Sequence, residues 1–344
     1  IWISPEGKQS VAIKEIKTPN GITLSPDGQT LYVAAYVPKE IWAYEVTKPG
    51  EVKNGRLFAK MDDGPDKGAD GMTIDRAGNV FDVFKRLYGN GFVGGRGGVV
   101  AVGNFDGIHR GHRALIGQAG QRAKELSVPL AVLTFEPHPR EYFAPDAPPF
   151  RLMNAEARET RLKKLGVDVL YELKFNTQLA ELTPEDFARN VISNGLGLRH
   201  VVVGADFCFG KGRSGNVEDL KSFGDLFGFG VTVADLITAP SGAVSSTAIR
   251  TALSDGEPRR AAEMLGHWHR IESEVIGGEQ RGRELGYPTA NMSIDGLHPP
   301  AFGVYAVLVD VLDGPHAGSY HGVASMGVRP MFGENRPNLE SFLF

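Results

Sequence analysis

Apolar and polar residues change rhythm twice along the chain. From Ile1 to about Val80, short alternating runs such as Thr30-Leu31-Tyr32-Val33-Ala34 and Ile41-Trp42-Ala43-Tyr44 are separated by Pro-Asp-Gly and Pro-Gly turns. Alternation of period two between turn residues predicts half-buried β-strands. The stretch PNGITLSPDGQTLYV from Pro19 is echoed by ADGMTIDRAGNVFDV from Ala69, and the echo loses its pattern at Asp82. Its period is near that of a propeller blade, roughly 40–50 residues. Residues 1–82 therefore read as a β-propeller-like fragment.

From Phe84 to Gly98 the chain is glycine-rich and basic, which makes residues 83–97 a junction. The rhythm then becomes strand, glycine turn, helix. Val99-Val100-Ala101-Val102 leads to a helical stretch from His112 to Leu126, then to a strand from Leu130 in LAVLTFEPHP. Helices are predicted from Ala155 to Leu165 and from Pro184 to Asn194, and strands from Val167 to Leu173 and from His200 to Gly204. Such alternation predicts a parallel α/β sheet over residues 98–258. After about Arg260, strand-like runs from Glu272 to Ile276, Gly303 to Val311 and Gly322 to Ser325 are punctuated by Gly and Pro. They predict a compact antiparallel β-barrel over residues 259–344.

Composition narrows the partners. The 344 residues carry a net charge of −4, which excludes a general basic surface for nucleic acid but leaves room for a small anionic ligand at a local positive site. The lone cysteine, Cys208, rules out an intrachain disulfide and any cysteine-based metal cage. Placed between Phe207 and Phe209, it reads as a small packed hydrophobe. No apolar run approaches the roughly 20 residues that span a bilayer, and no signal-peptide pattern opens the chain, so the expected location is the cytoplasm, away from membranes. Because the first residue is Ile1, the chain reads as a fragment. Its oligomeric state stays open.

Two clusters carry candidate phosphate chemistry. In VVAVGNFDGIHRGH an apolar strand ends at Gly103 and a short loop feeds a helix, so free N–H groups and the positive end of the helix dipole face any ligand there. Gly103, Gly107 and Gly111 allow close approach to the backbone. His109 and His112 can share one face of that turn and donate to charge developing on an α-phosphate in an in-line displacement. An isolated His-x-x-His is an ordinary surface pair. Here a second cluster follows in VSSTAIR, where Ser245, Ser246 and Thr247 offer hydroxyls at a helix start and Arg250 offers a guanidinium fork. Further on, RGRELGYPTAN combines a glycine-rich turn, two arginines and a Thr-x-Asn pair. It can wrap phosphates, with Thr289 and Asn291 as hard oxygen ligands for magnesium, or be a plain basic hairpin.

Residues from about Arg96 to Phe344 resemble the bacterial bifunctional riboflavin kinase/FMN adenylyltransferases, also called FAD synthetases. The resemblance rests on GNFDGIHRGH, TFEPHP, VVVGADFCFGKGRSG and VSSTAIR in that order, followed by RGRELGYPTAN, GVYAV and GVASMGVRPMFG. It implies a Rossmann-like nucleotidyltransferase domain joined to a riboflavin kinase barrel. It further implies that His109, His112 and Arg250 assist adenylyl transfer, and that Gly103, Asn104, Phe105, Asp106, Gly107, Ser245, Ser246, Thr247 and Arg250 line the ATP site. Asp206, Phe207 and Gly210 would form a loop near nucleotide and flavin. In the kinase half, Gly282, Arg283 and Gly286 would form the phosphate loop, Thr289 and Asn291 would hold Mg²⁺, and Glu340 would be the catalytic carboxylate. The implied substrates are ATP, FMN and riboflavin. The family's pattern continues beyond Phe344, so the expectation is an incomplete kinase domain of impaired activity.

The first stretch resembles another family, the gluconolactonase-like β-propellers of the senescence-marker-protein group. Asn20 and Asp70 fall where that family holds its divalent metal, although Asn-Gly and Asp-Gly are also ordinary turn residues. Two alternatives follow: a metal-dependent lactone hydrolase, or a non-catalytic fusion of two gene fragments.

Overall fold

The computed structural model describes residues 2–3, 9–10, 13–25, 27–35, 38–60, 71–74, 80–87, 97–235, 238–239, 242–276, 289–328 and 337–344. The chain divides into two compact units. The first comprises Ile1–Asn104, Ala114–Pro145 and Leu162–Asp235; the second comprises Phe105–Arg113, Asp146–Arg161 and Leu236–Phe344.

The first unit opens with a small antiparallel pair, β1 (Trp2–Ile3) and β2 (Gln9–Ser10). Next comes an antiparallel meander of β3 (Pro19–Leu24), β4 (Thr30–Ala35), β5 (Glu40–Lys48) and β6 (Glu51–Lys60) in sequence order. Tyr32, Ala34, Ile41 and Ala43 pack together on it, as the alternating pattern predicts. The predicted turn after β3 is closed by the Gly28 N–H on the Ser25 carbonyl, with Gly28 left-handed at φ +71°.

The same unit holds a seven-stranded sheet. Its strands are β7 (Gly71–Ile74), β8 (Val80–Leu87), β9 (Val99–Val102), β10 (Leu130–Glu136), β11 (Val169–Lys174), β12 (His200–Gly204) and β13 (Gly230–Ala234). Their order is β13-β12-β9-β10-β11-β8-β7. Strands β9 to β13 run parallel, whereas β8 is antiparallel to β11 and β7 to β8. The chain leaves β9 for β10 on one side and later returns to place β12 on the other. The C-terminal end of β9 is therefore the switch point where an open α/β sheet binds ligands. The echoed repeat does form a hairpin, but β7 and β8 extend this sheet rather than the meander.

Between the strands lie α1 (Arg110–Leu126), α2 (Pro139–Phe143), α3 (Ala155–Lys164), α4 (Thr177–Ala180), α5 (Pro184–Asp186) with a π-helical continuation Phe187–Gly195, and α6 (Val217–Phe227). Helix α1 begins two residues ahead of the predicted start, because the Arg113 N–H already reaches the His109 carbonyl at 2.9 Å. Helix α6 and strand β13 were not among the predicted elements. Asn216 caps α6 in a capping box with Asp219, and left-handed Gly228 ends it. Inside, Val100, Leu133, Val169, Val191, Val201 and Leu220 share one continuous core.

The second unit contains the short hairpin β14 (Thr238–Ala239) and β15 (Gly242–Ala243), then α7 (Ser246–Ser254) and α8 (Pro258–Leu265). Ile249, Leu253, Met264 and Leu265 from the two helices bury Leu152. An antiparallel sheet follows, made of β16 (Val275–Ile276), β17 (Ala290–Ser293), β18 (Gly303–Val311), β19 (Gly318–Val328) and β20 (Pro337–Leu343), ordered β16-β17-β20-β19-β18. Three predicted bounds change here. The strand grammar expected from Arg260 begins later, because α8 runs to Leu265 with Pro258 in its first turn and left-handed Gly266 ending it. The strand predicted from Glu272 shrinks to β16, and the one predicted from Gly322 to Ser325 lengthens to β19.

One close approach in the first unit gives a test. A Cβ on Gly224 would stand 2.5 Å from the Phe229 carbonyl oxygen, where the end of α6 turns into β13. Gly224→Ala gains about 1 kcal/mol of helix propensity, but overpacking against backbone costs about 1–3 kcal/mol. The expected outcome is a net loss of stability, seen as a lower urea midpoint by far-UV circular dichroism; an unchanged or higher midpoint contradicts the packing described.

Candidate active site

In the first unit, β9 delivers Gly103, whose N–H bonds to the Leu133 carbonyl at 3.1 Å, and Asn104, whose carbonyl accepts from the Thr134 hydroxyl at 3.2 Å. Beyond β12, the Phe207 N–H closes a turn onto Gly204, leaving Asp206 exposed. Phe207 and Phe209 stack at 5.5 Å, and left-handed Gly210 passes so close to Pro184 that a Cβ would lie 2.7 Å from its backbone nitrogen. Cys208 is exposed, contrary to the packed role expected of it, because its two aromatic neighbours turn inward around it. His138 is the N-cap of α2, in a capping box with Glu141. An aromatic group that sequence reading missed, Phe135, Tyr142 and Phe175, meets edge to face at 5.4–5.7 Å. Its only sequence signal was the aromatic spacing after TFEPHP.

In the second unit the motif loop is bent against its own preference. Phe105 and Ile108 hold positive φ values of 51° and 42° although neither is glycine. Gly107 is also left-handed, and a Cβ there would meet Leu152 at 2.8 Å. Asp106, 5% exposed, holds this shape. Its carboxylate accepts the Leu152 N–H at 2.8 Å and pairs with Arg250 at 2.6 Å, and its carbonyl accepts the Ser246 hydroxyl at 2.9 Å. Burial pushes the Asp106 carboxyl up, against the pull of Arg250. The Arg250 Nε–H reaches the Phe150 carbonyl at 2.6 Å, and the guanidinium lies 5.1 Å from the Phe150 ring. Asp106, Ser246 and Arg250 are thus brought together and bonded to one another. Ser245 is the N-cap of α7, accepting from the Ala248 N–H, and Thr247 is exposed on its first turn.

The two histidines stack, with ring centroids 3.7 Å apart and planes inclined by 13°. The His109 Nδ1 accepts the His112 backbone N–H at 3.3 Å, which leaves the ring proton on Nε2. The His112 Nδ1 is buried and has no hydrogen-bond partner among the described residues. Burial first, then neighbouring His109, holds the His112 imidazole well below the usual histidine range. The His112 ring is therefore a neutral dipole near pH 7, beside a His109 ring with a defined N–H donor.

In the antiparallel sheet of this unit, Asn291 on β17 is directly opposite Glu340 on β20, and exposed Thr289 lies just before β17. Hydroxyl, amide carbonyl and carboxylate oxygens are the hard donors that Mg²⁺ accepts, so the chemistry of this set fits that ion. Gly282, Arg283 and Gly286 lie outside the described residues, as do Asp70 and the side chain of Asn20.

A parallel sheet with its switch point at β9, running through a glycine loop into a helix that starts with stacked imidazoles, defines an α/β protein of nucleotidyl transfer. Residues 95–248 match the FAD synthetase family, residues 265–344 the riboflavin kinase family, and residues 1–86 the SMP-30/gluconolactonase/LRE-like region. The bifunctional riboflavin kinase/FMN adenylyltransferase of Pseudomonas fluorescens is 41% identical over 249 residues, 72% of this chain and 78% of that protein. That of Bacillus subtilis strain 168 is 39% identical over 246 residues, 71% of this chain and 76% of that protein. The chain belongs to the bifunctional riboflavin kinase/FMN adenylyltransferase family. Among solved structures, that of a macrolide-efflux protein from Streptococcus pneumoniae is similar, with a TM-score of 0.64 and 34% identity over 72% of this chain and 80% of that one. Among the described residues, no helix is long and apolar enough to cross a membrane.

Two predictions follow from the buried charges. Asp106→Asn preserves shape but leaves Arg250 without a counter-charge, at a cost of about 3 kcal/mol. Urea unfolding should register that loss, and a change below about 1 kcal/mol would show the pair to be dispensable. The second concerns acid. His269 is half-buried, with its Nε2 3.3 Å from the Leu152 carbonyl, and desolvation depresses its pKa to about 4. A depressed pKa means that the unfolded chain takes up the proton first, so this stability is full above about pH 6.5 and drains away as pH falls toward 4. Between pH 7 and 5 the loss at this residue is about 2 kcal/mol. His269→Phe should flatten the fall in melting temperature over that interval, whereas an unchanged slope would place the acid sensitivity elsewhere.

Proposed function

We propose that the α/β part of the chain transfers the adenylyl group of ATP to FMN, giving FAD and pyrophosphate, and that the antiparallel part phosphorylates riboflavin to FMN with a second ATP. The observation that carries the first reading is the stacked His109–His112 pair at the start of α1. In-line attack by the FMN phosphate asks little covalent chemistry of the protein. It asks for donors where negative charge develops, in a site that excludes water. His109 supplies an Nε2–H fixed by the backbone bond at its other nitrogen. His112, kept neutral by burial, has an Nδ1 edge without a partner among the described residues, which a ligand could satisfy. Asp106, Ser246 and Arg250 act as positioning residues that hold the loop, and exposed Thr247 is free to meet phosphate. Phe135, Tyr142 and Phe175 offer apolar ring surface of the kind a planar heterocycle stacks on.

For the kinase reading, Glu340 is the carboxylate that accepts the proton of the attacking ribityl hydroxyl, with Asn291 opposite it across the strand pair. Thr289 and Asn291 would hold Mg²⁺ together with the ATP phosphates, and the ion would neutralise charge on the transferring phosphoryl group. The substrates are small molecules, and a single thiol with no cysteine partner fits the reducing cytoplasm.

The test follows FAD and FMN by chromatography after the chain is incubated with ATP and Mg²⁺ plus FMN or riboflavin. FAD should form from FMN, and His112→Ala should slow turnover ~100-fold or more with little change in FMN affinity. Folded protein that makes no FAD would refute the adenylyl reading. Glu340→Gln should abolish FMN formation from riboflavin while sparing FAD formation from FMN; loss of both would refute the division of labour.

A further inference from the structure

Within the second unit, cations gather beside the motif loop. Arg113 lies on the first turn of α1, next to His112, and its guanidinium rests against Gly266, where a Cβ would stand 2.9 Å from its Nη1 and 3.2 Å from the Arg110 Cγ. Gly266 ends α8 in a left-handed turn and leads directly to His267. Arg161 comes from the last turns of α3, and its Nε is buried with no hydrogen-bond partner among the described residues. Burial, then Arg113 and Arg270, lowers the Arg161 pKa; the His267 pKa is lowered by burial and, in smaller part, by Arg161 and Arg113. Arg270 is answered by Glu272 and Asp310, each at 3.3 Å. Among the described residues, neither Arg113 nor Arg161 has a carboxylate at ion-pair distance.

A half-buried Arg161 whose Nε lacks a partner, with a second arginine near it and no carboxylate at ion-pair distance among the described residues, raises the free energy of the empty site, and a multiply charged anion removes that cost. Arg113 directly follows His112, whose Nδ1 has no partner among the described residues, in the first turn of α1. We propose that Arg113 and Arg161, with His267 lining the site, receive the β- and γ-phosphates of ATP and hold the departing pyrophosphate. This rests on the adenylyl-transfer reading. In that reaction an FMN phosphate oxygen bonds to the α-phosphorus while the bond from that phosphorus to the bridging oxygen breaks. The electron pair leaves on the pyrophosphate, and that is where the extra cations are needed.

The experiment titrates inorganic pyrophosphate into the full chain by calorimetry, beside steady-state FAD synthesis, for the wild type and for Arg113→Gln, Arg161→Gln and Arg161→Lys. Each glutamine variant should weaken pyrophosphate binding about ten-fold or more and raise the KM for ATP in step, leaving the KM for FMN unchanged. Arg161→Lys should retain most of the affinity. Pyrophosphate affinity unchanged in both glutamine variants, no binding by the wild type, or a loss confined to FMN would each overturn the subsite. Should Arg161→Gln fail to fold, exposed Arg113 decides the matter alone. Arginine-dependent pyrophosphate binding without FAD production would sink the adenylyl reading and leave the subsite standing.

Discussion

The buried ion pair between Asp106 and Arg250 holds together a loop that its own backbone opposes. Left-handed φ values at Phe105 and Ile108 each cost about 1–2 kcal/mol. Strain of that kind persists only where surrounding bonds over-determine it. Here the bonds come from segments far apart in sequence: the Leu152 N–H and the Arg250 guanidinium on the carboxylate, and the Ser246 hydroxyl on the carbonyl. The same arginine ties back to the Phe150 carbonyl. A single carboxylate therefore fixes the loop, the 150–153 segment and helix α7 to one another, and sets the two histidines at the helix start.

Electrostatics in this unit runs along a consistent line. Burial keeps His112, His267, His269 and His298 below the ordinary histidine range, so the imidazoles serve as neutral dipoles while the arginines carry the charge. A neutral donor can face a phosphate in a dry site without the desolvation cost of an imidazolium.

The α/β alternation was legible because its strands are continuous apolar runs and its longer helices are periodic, and β12 and α1 fell within two residues of their predicted bounds. Helix α8 was not legible, since Pro258-Arg259-Arg260 offers little apolar signal until Ala261 and Met264 pack on Leu152. Of the candidate residues, Asp106, Ser246 and Arg250 lie together in the structure, but their internal bonding was not legible. Sequence placed Asp106, Ser246 and Arg250 toward a ligand, whereas in the structure much of their hydrogen-bonding capacity is spent on one another. Side-chain direction depends on long-range packing, which no local pattern encodes. Arg161 and His267 escaped notice for the same reason, because neither belongs to a motif and only the fold brings them beside Arg113.

The second unit also links its two chemistries through a short path of hydrogen bonds. His298 donates its backbone N–H to the Arg151 carbonyl, and its Nε2 lies 3.1 Å from the Arg250 carbonyl and 3.0 Å from the Ser254 hydroxyl. A carbonyl only accepts, so the Nε2 carries the proton and the ring is a fixed strut between the segment entering the antiparallel sheet and helix α7. That segment also packs Ile294 and Leu297 against Met326 of β19. The residue that anchors Asp106 therefore shares its backbone with a contact from the kinase-like sheet. Any rearrangement of that sheet that moves His298 must either break its half-buried hydrogen bond to Arg250 or move Arg250 with it.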